Sequence, residues 1–329
     1  MIAKRKRVLT GSRPSGPVHV GNYFGAFGPA LKLAEKYELF FFLADLHALN
    51  SSPTSKELLE NSLNMVATML ALGLEPDECV FYSQSGAPEV NELAWMLSCI
   101  APYGFLTRAH SFKDAQAKNI DVNMGVFEYP LLMAADILLY DADIVPVGQD
   151  QKQHLEMTRD FATRFNNKYG NCLTVPEPLI SEAVAVVPGT DGEKMSSSKG
   201  NVITLLSNEK QWKKQIMGIK TDSLGVDDPK NPNTCIIFKL FQLIANKPEV
   251  EVMHDKYVSG GYGYGHAKQD LLKAMVERFA EPSEKYFNYL NKPDELRDII
   301  ASGSKVARGM AIAKLNLLQQ KVGLIGRPF

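Results

Sequence analysis

Four short apolar runs alternate with helical patterns in the first half of the chain, and this alternation constrains the fold most strongly. The runs are RVLTG at 7–11, LFFFLA at 39–44, CVFYSQ at 79–84 and DIVPVG at 143–148. Each has the length of a strand, and the segments between them place apolar residues at helical spacing. Strands separated by helices pair in parallel, because a parallel connection needs a crossover. The sequence therefore predicts an α/β fold with a Rossmann-like, doubly wound parallel sheet.

Strand patterns end near residue 208, and the rest of the chain is predicted to be helical. The predicted helices lie at 212–217, 234–243, 266–289 and 305–321. A length of 329 residues fits about two domains. We therefore predict a catalytic Rossmann-like domain over 1–206, which includes the loop KMSSS, and a helical C-terminal domain over 207–329. The segment SGGYGYGH at 259–266 lies between helices rather than after a strand, which favours a turn over a phosphate-binding loop.

Charge and apolar patterning limit the class of protein. The net charge is −1, so a nucleic-acid partner must meet a local basic surface. Asp45 and Asp136 interrupt the longest apolar runs well short of the ~18–20 residues of a membrane-spanning helix. The basic N-terminus is not followed by an apolar segment, so no signal peptide is predicted and a cytoplasmic location is expected. The four cysteines are widely spaced and predict neither a zinc site nor a disulfide framework.

The segment TGSRPSGPVHVGNYFGA, at 10–26, follows the first predicted strand. In an open α/β sheet, ligands bind beyond the carboxyl ends of the strands. Gly16 and Gly21 allow a tight turn and close approach of the backbone, and the start of a helix presents free N–H groups to an anion. His19 and Asn22 add side-chain donors. A single histidine at a helix start is more often a cap, so this segment alone does not establish a function.

The segment GTDGEKMSSSKGN, at 189–201, places Lys194 and Lys199 on either side of three serines. Gly192 and Gly200 flank this group and allow the loop to move. The loop offers two cations and three hydroxyls but no strong base. Such groups suit the binding of a triphosphate, although a solvated polar surface loop is the alternative.

The two segments together resemble the signature of a known family. HVGN resembles the H-I-G-H element, and KMSSS resembles the K-M-S-K-S element, of class I aminoacyl-tRNA synthetases. Within this class the chain resembles the bacterial tryptophanyl enzymes along nearly its whole length, most specifically in YPLLMAADILLYDADIVPVGQDQKQHLEMTRDFATRFN. Related tyrosyl enzymes tend to have glutamine at the position of Met133. The sequence departs from these elements at two positions. Ser197 stands where the second lysine of K-M-S-K-S is expected, and Lys199 is a candidate substitute for this lysine. Asn22 stands where H-I-G-H ends in histidine.

The resemblance implies a two-step reaction. The carboxylate of L-tryptophan attacks the α-phosphorus of ATP and expels pyrophosphate, and the terminal ribose of the tRNA then takes the aminoacyl group and releases AMP. A carboxylate is already an anion, so the first step depends on positioning and charge stabilisation rather than on a base. ATP would enter as a substrate that carries Mg²⁺, without protein carboxylates as metal ligands. The implied partners are tRNA, which would contact the helical domain through its anticodon, and a second copy of the chain in a homodimer.

The resemblance also implies an ATP site built from both motifs. The candidate catalytic residues are His19, Lys113, Lys194 and Ser196. Lys113, in HSFKDAQ, matches a lysine that reaches the phosphates in related enzymes, and an exposed lysine without a role is an equal alternative. The implied ATP-binding residues are Arg13, Pro14, Ser15, Gly21, Asn22, Gly148, Gln149, Asp150, Val187, Lys194, Met195, Ser196, Ser197 and Ser198.

A tryptophan pocket needs an apolar slot with one acceptor for the indole N–H. Asp136 lies in an apolar helical run, where a buried carboxylate without a partner would cost several kcal/mol. The Asp136 carboxylate must therefore have a hydrogen-bond partner. This partner is either the ligand or, alternatively, a group of the protein core that Asp136 caps or bridges. Tyr129 and Met133 lie seven and three residues earlier, on the same helix face. The other predicted pocket residues are Leu9, His47, Val145, Val147 and Gln151, whereas Trp95 and Trp212 are expected only to pack within helices.

Two other functions remain open from the sequence. A tyrosyl-tRNA synthetase would have the same motifs, and Met133 argues against it. A non-catalytic paralogue that binds tRNA or senses tryptophan would have the same fold. The intact residues His19, Asn22, Lys194 and Ser196 argue against a paralogue without activity.

Overall fold

A computed structural model describes residues 5–109, 112–113, 123–148, 151–180 and 186–325. Within these ranges a parallel sheet has the order β3-β2-β1-β4-β5. Its strands are β1 (Arg7–Ser12), β2 (Glu38–Leu43), β3 (Val80–Ser83), β4 (Ile144–Val147) and β5 (Glu177–Ile180). The order reverses direction between β1 and β4, so the switch point lies at their carboxyl ends. The predicted Rossmann-like fold with a helical C-terminal part is confirmed.

The fifth strand, β5, was not predicted. Its sequence, EPLI, contains Pro178, which pairs with Val145 of β4. Proline cannot donate to a ladder and is therefore confined to positions such as an edge strand. The edge position of β5 makes this proline acceptable, and a sequence pattern cannot reveal that position.

Helices cover both faces of the sheet and form the rest of the chain. The first, α1 (Val20–Asn22), continues through a π-helical turn (Tyr23–Phe27) into α2 (Gly28–Leu33). The others in the first part are α3 (Asp45–Ala48), α4 (Ser55–Ala71), α5 (Glu89–Ser98), α6 (Tyr103–Leu106), α7 (Met124–Leu138) and α8 (Lys152–Tyr169). The later ones are α9 (Glu209–Met217), α10 (Ile236–Ile244), α11 (Lys247–Ser259), α12 (Tyr264–Leu290) and α13 (Pro293–Val322).

One of these helices, α11, was missed by the sequence analysis although it has a clear start signal. Asn246 and Glu249 cap each other's backbone N–H groups reciprocally, as the capping box requires. The predicted turn between α11 and α12 is confirmed, since Gly260 and Gly261 both have a φ of +76°. Such angles favour glycine over residues with a side chain.

The helical part shares its core with the sheet. Trp212 and Phe238 are buried in the same hydrophobic cluster as Val8 and Leu39 of the sheet. Helix α12 packs on α4, and α13 packs on β3 and α5. Trp95 of α5 is 70% exposed, so the expectation that it packs within the helices is wrong. The domain boundary between 206 and 207 stays a prediction.

No helix in the described part of the chain is both long enough and apolar enough to pass through a membrane.

The contact between α13 and β3 has no space for a side chain at Gly303. A Cβ atom there would lie 1.8 Å from the carbonyl oxygen of Phe81. We expect Gly303→Ala to lower the free energy of unfolding by about 1–3 kcal/mol, because α13 must move away from β3. Gly309→Ala in the same helix places its Cβ in open space and should raise that free energy by up to about 1 kcal/mol. Chemical denaturation measures both, and similar effects at the two positions would contradict the close packing.

Candidate active site

Main-chain hydrogen bonds join the two sequence motifs. The Val20 N–H donates to the Ile203 carbonyl at 2.9 Å, and the Leu205 N–H donates to the Val18 carbonyl at 2.9 Å. His19 and Thr204 form the antiparallel bridge between them. The chain that leaves the KMSSS loop therefore runs beside the start of α1.

His19 and Asn22 form a reciprocal cap at the start of α1. Asn22 N–H donates to His19 Nδ1 at 3.2 Å, and His19 N–H donates to Asn22 Oδ1 at 3.0 Å. Burial lowers the pKa of the His19 imidazole, which favours its neutral form. Because Nδ1 accepts a hydrogen bond, the proton of the neutral ring is on Nε2. His19 is thus both a helix cap and a neutral donor, which unites the two roles considered for it.

Gly21 allows the loop to approach this helix start. Its N–H points to the Met195 sulfur at 3.3 Å. A Cβ at Gly21 would lie 3.0 Å from His19 Nδ1 and 3.3 Å from Met195 Cβ. A side chain at this position would therefore force the His19 ring or Met195 to shift by a few tenths of an ångström.

The loop follows a hairpin-like path around Met195. The Met195 N–H donates to the Val187 carbonyl at 3.0 Å, and both side chains are buried. Ser196 Oγ and Ser198 Oγ lie 3.0 Å apart. The buried methionine anchors the loop, Lys194 before it is exposed, and Ser196 after it is partly exposed.

The two lysines of the loop differ in their partners. Lys199 forms an ion pair with Glu193. Lys194 is exposed, and its ammonium has no hydrogen bond or ion pair with any residue that the structure describes. Lys194 is therefore the available cation, whereas Lys199 must first leave Glu193.

Other predicted ATP-site residues lie near the carboxyl ends of the central strands. Arg13 and Ser15 follow β1 and are exposed, Pro14 between them is buried, and Gly148 follows β4 and is exposed. Gln149 and Asp150 lie outside the described residues. Lys113 is exposed, and its ammonium has no hydrogen bond or ion pair with any residue that the structure describes. Its predicted role stays a prediction.

Asp136 of α7 has the partners that its burial requires. It is 2% exposed. The Gln84 amide donates to Oδ1 at 3.0 Å and to Oδ2 at 2.9 Å, and His47 Nε2 bonds to Oδ2 at 3.1 Å. Burial raises the pKa of the Asp136 carboxyl, and the hydrogen bonds from His47 and Gln84 oppose this shift. The predicted need for a partner is met within the protein itself.

Gln84 was missed by the sequence analysis. It directly follows β3, and the carboxyl ends of parallel strands meet at the same edge of the sheet. A polar residue at that position was the signal that could have identified it.

A chain of ring contacts and hydrogen bonds extends from Asp136. The His47 ring lies edge-on to the Tyr129 ring, with centroids 6.0 Å apart. Tyr129 Oη bonds to His154 Nε2 at 2.7 Å, and His154 Nδ1 bonds to Gln151 Oε1 at 3.2 Å. The structure thus brings four of the predicted pocket residues into one network and adds His154. Of the remaining four, Leu9, Val145 and Val147 lie in one buried hydrophobic cluster, and Met133 is partly buried and packs against it.

Within the described ranges, no group of three or more His, Cys, Asp or Glu side chains has the arrangement of a metal site. The arrangement instead combines a free cation, a helix start and a buried acceptor. These groups can bind an anionic nucleotide and, nearby, an apolar molecule with one donor.

Comparison with known proteins gives a consistent family. The profile described as "tRNA synthetases class I (W and Y)" matches residues 3–280. The tryptophan–tRNA ligase of Fusobacterium nucleatum is 47% identical over 322 residues, which cover 98% of this chain and 99% of that protein. The crystal structure of Campylobacter jejuni tryptophanyl-tRNA synthetase with ADP and tryptophan is 46% identical, with a TM-score of 0.92 over 97% of this chain and 100% of that chain.

The tyrosyl-tRNA synthetase of Archaeoglobus fulgidus shares the fold. Its structure has a TM-score of 0.66 at 21% identity, and the match covers 85% of this chain and 90% of that chain. The match to the family profile covers most of the chain, and the Fusobacterium nucleatum and Campylobacter jejuni tryptophan enzymes match it over nearly its whole length at 47% and 46% identity. The chain therefore belongs to the class I tRNA synthetases of the tryptophan and tyrosine group and, within that group, to the tryptophan–tRNA ligases.

Proposed function

We propose that this chain activates L-tryptophan with ATP and transfers it from the adenylate to tRNA. The observation that carries the proposal is the pairing of 18–20 with 203–205, together with the contact of Met195 with Gly21, because these join the loop that contains Lys194 to the start of α1. The relative crystallised with ADP and tryptophan supports both substrates.

In the first step, an oxygen of the tryptophan carboxylate forms a bond to the α-phosphorus, and the bond from that phosphorus to the leaving pyrophosphate breaks. No proton must be removed from the nucleophile. Lys194 would stabilise charge on the β and γ phosphates, and Ser196 and Ser198 would donate hydroxyl hydrogen bonds. His19 would donate from Nε2, which its cap leaves protonated.

Nucleotide recognition would use the residues around the two motifs. Arg13, Pro14, Ser15, Gly21 and Asn22 would line the ATP site. Gly148, Gln149 and Asp150 would hold the ribose, and Val187 would contact the adenine. Mg²⁺ would enter on the oxygens of ATP. The loop carboxylates Asp191 and Glu193 are engaged with Asn201 and Lys199, so they do not offer a free ligand set.

The amino-acid pocket would be built around Asp136. Its carboxylate would accept the indole N–H in addition to the hydrogen bonds from His47 and Gln84. A carboxylate has about four lone-pair sites, so a third donor can be accommodated. Tyr129, Met133, Leu9, Val145, Val147 and Gln151 would form the walls.

Contact with tRNA would use basic surfaces on the helical part. Lys210, Lys213 and Lys214 of α9 are exposed. Lys210 and Lys214 line a groove of 870 Å³ whose other wall includes Thr190 and Gly200 of the loop region. Phosphate backbones bind such clusters of lysines. The chain has almost no net charge, so a local basic surface of this kind is what an RNA partner requires. We also propose that the helical part contacts the anticodon of the tRNA.

A homodimer has support from an exposed apolar surface. Trp95, Tyr103 and Met124 are 70%, 74% and 63% exposed. They lie on α5, α6 and α7, and α5 and α6 both pack against α7. A contiguous patch of exposed apolar groups marks an interaction surface, and these three side chains lie on helices that pack together. A mass of twice that of the chain, measured by sedimentation equilibrium, would agree with the dimer.

The cytoplasmic location stays a prediction of the sequence.

The activity is tested by ATP–pyrophosphate exchange with each of the twenty amino acids. We expect exchange to depend on tryptophan, followed by tryptophan-dependent charging of tRNA. Exchange stimulated by tyrosine would replace the proposal with a tyrosyl enzyme. Tryptophan binding without any exchange would indicate a non-catalytic paralogue.

Replacing Lys194 tests charge stabilisation by the loop. We expect Lys194→Ala to lower the rate of tryptophan activation by roughly a hundredfold or more, the effect of losing a well-placed charge donor. The affinity for tryptophan should barely change, because Asp136 and its partners are untouched. Lys199→Ala is the matched control and should cost less, since Lys199 is paired with Glu193. Activation at the parental rate by the Lys194 variant would rule out this role.

Replacing Asp136 tests the selectivity of the pocket. A site that hydrogen-bonds a substrate group rejects analogues that lack it far more strongly than shape alone does. We expect Asp136→Ala to reduce the preference for tryptophan over phenylalanine by roughly a hundredfold or more. Asp136→Asn keeps the shape and one acceptor and should weaken tryptophan use moderately.

The measured quantity is the ratio of kcat/KM for tryptophan to that for phenylalanine. Asp160 on α8 is exposed, and Asp160→Ala is the control for loss of a carboxylate elsewhere. A parental ratio in Asp136→Ala would make Asp136 a structural residue that only bridges His47 and Gln84.

A further inference from the structure

Asn201 is buried at the end of a loop whose side chains are mostly exposed. It is 3% exposed, whereas Lys194 and residues 197–200 are exposed. Its amide nitrogen donates to Asp191 Oδ1 at 2.8 Å and to the Lys194 carbonyl at 3.2 Å. Its amide oxygen accepts the Ser196 N–H at 2.8 Å. One side chain therefore uses two donors and one acceptor on three loop residues.

The surrounding main chain is shaped to receive this amide. The Asn201 carbonyl accepts the Thr190 N–H at 2.9 Å. A Cβ at Gly189 would lie 2.4 Å from the Asn201 amide nitrogen, so only glycine leaves the space for it. The hydrogen bond from Asn201 is the main cause that lowers the pKa of the Asp191 carboxyl. Asp191 is thus an ionised acceptor at neutral pH.

The contacts of Asn201 fall on either side of the buried Met195. The Lys194 carbonyl precedes it and the Ser196 N–H follows it. Gly200 has a φ of +67°, and this left-handed turn brings the chain back toward Asn201. The amide therefore fixes the main chain from which the Lys194 ammonium and the Ser196 hydroxyl extend.

We propose that Asn201 is a positioning residue that aims Lys194 and Ser196 at the phosphates. It would act through its hydrogen bonds to the main chain of those two residues rather than by contact with the substrate. The inference rests on the proposed function and deepens it. Because a displacement of about 1 Å can cost up to roughly a hundredfold in rate, loss of this amide should lower kcat for activation and leave the KM for tryptophan unchanged.

An exchange of donor and acceptor tests this role. Asn201→Asp keeps the shape and the acceptor for Ser196, but it turns an oxygen toward the Asp191 carboxylate and the Lys194 carbonyl. We expect kcat for pyrophosphate exchange to fall by roughly ten- to a hundredfold. Asp191→Asn alone keeps an acceptor for Asn201 and should change kcat by less than about threefold. Combining both changes restores a hydrogen bond in the reverse direction, and kcat should recover at least partly.

A second measurement does not depend on catalysis. Trypsin cleaves after exposed lysines, so the rate of cleavage at Lys194 and Lys199 reports the order of the loop. Cleavage should be faster in Asn201→Asp and slower again in the double variant. If the parent shows no exchange with tryptophan, the proposed function fails, and the proteolysis series still tests Asn201.

Asn233 is exposed outside the loop, and Asn233→Asp controls for an added carboxylate. It should match the parent in both measurements. Parental kcat and parental cleavage in Asn201→Asp would overturn the proposal. Two other results would also overturn it. One is a double variant whose kcat is no higher than that of Asn201→Asp, and the other is a loss of tryptophan affinity equal to the loss in kcat. General destabilisation of the protein would produce both.

Discussion

The main-chain pairing between 18–20 and 203–205 is the constraint on which the site depends. It joins the first turn after β1 to a segment that lies beyond the last strand. Without it, the KMSSS loop would be an ordinary polar hairpin on the surface. With it, the loop is fixed against α1 by the contact of Met195 with Gly21. The fully buried side chains of Ile203 and Leu205 hold the same segment in the hydrophobic core, so main-chain pairing and core packing fix it together.

The amino-acid side of the site depends on a different kind of interaction. A buried carboxylate is stable only when donors surround it. At Asp136 those donors come from His47 and Gln84, which follow different strands of the sheet. Correct assembly of the sheet is therefore a condition for a satisfied Asp136. The pocket and the fold are specified by the same hydrogen bonds, and a ligand donor would join a network that already exists.

Local patterns predicted what is locally determined. The first four strands follow from patterns of neighbouring residues, and the structure confirms them. The edge strand β5 could not be predicted, since only its place in the sheet makes Pro178 acceptable. The burial of Asp136 predicted that a partner exists, but Gln84 is 52 residues away. The role of Asn201 depends on three tertiary hydrogen bonds, and its position after Gly200 shows none of them.

The cover of β3 by α13 has a consequence for the synthesis of the chain. β3 is an edge strand of the sheet. Its last residue, Ser83, donates its N–H to the hydroxyl oxygen of Ser304 in α13. A ribosome makes α13 only after β4, β5 and helices α5–α12 have been synthesised. Until then the nascent sheet has an open edge that can pair with another chain. The period of greatest exposure to aggregation thus lasts until the final described helix has docked.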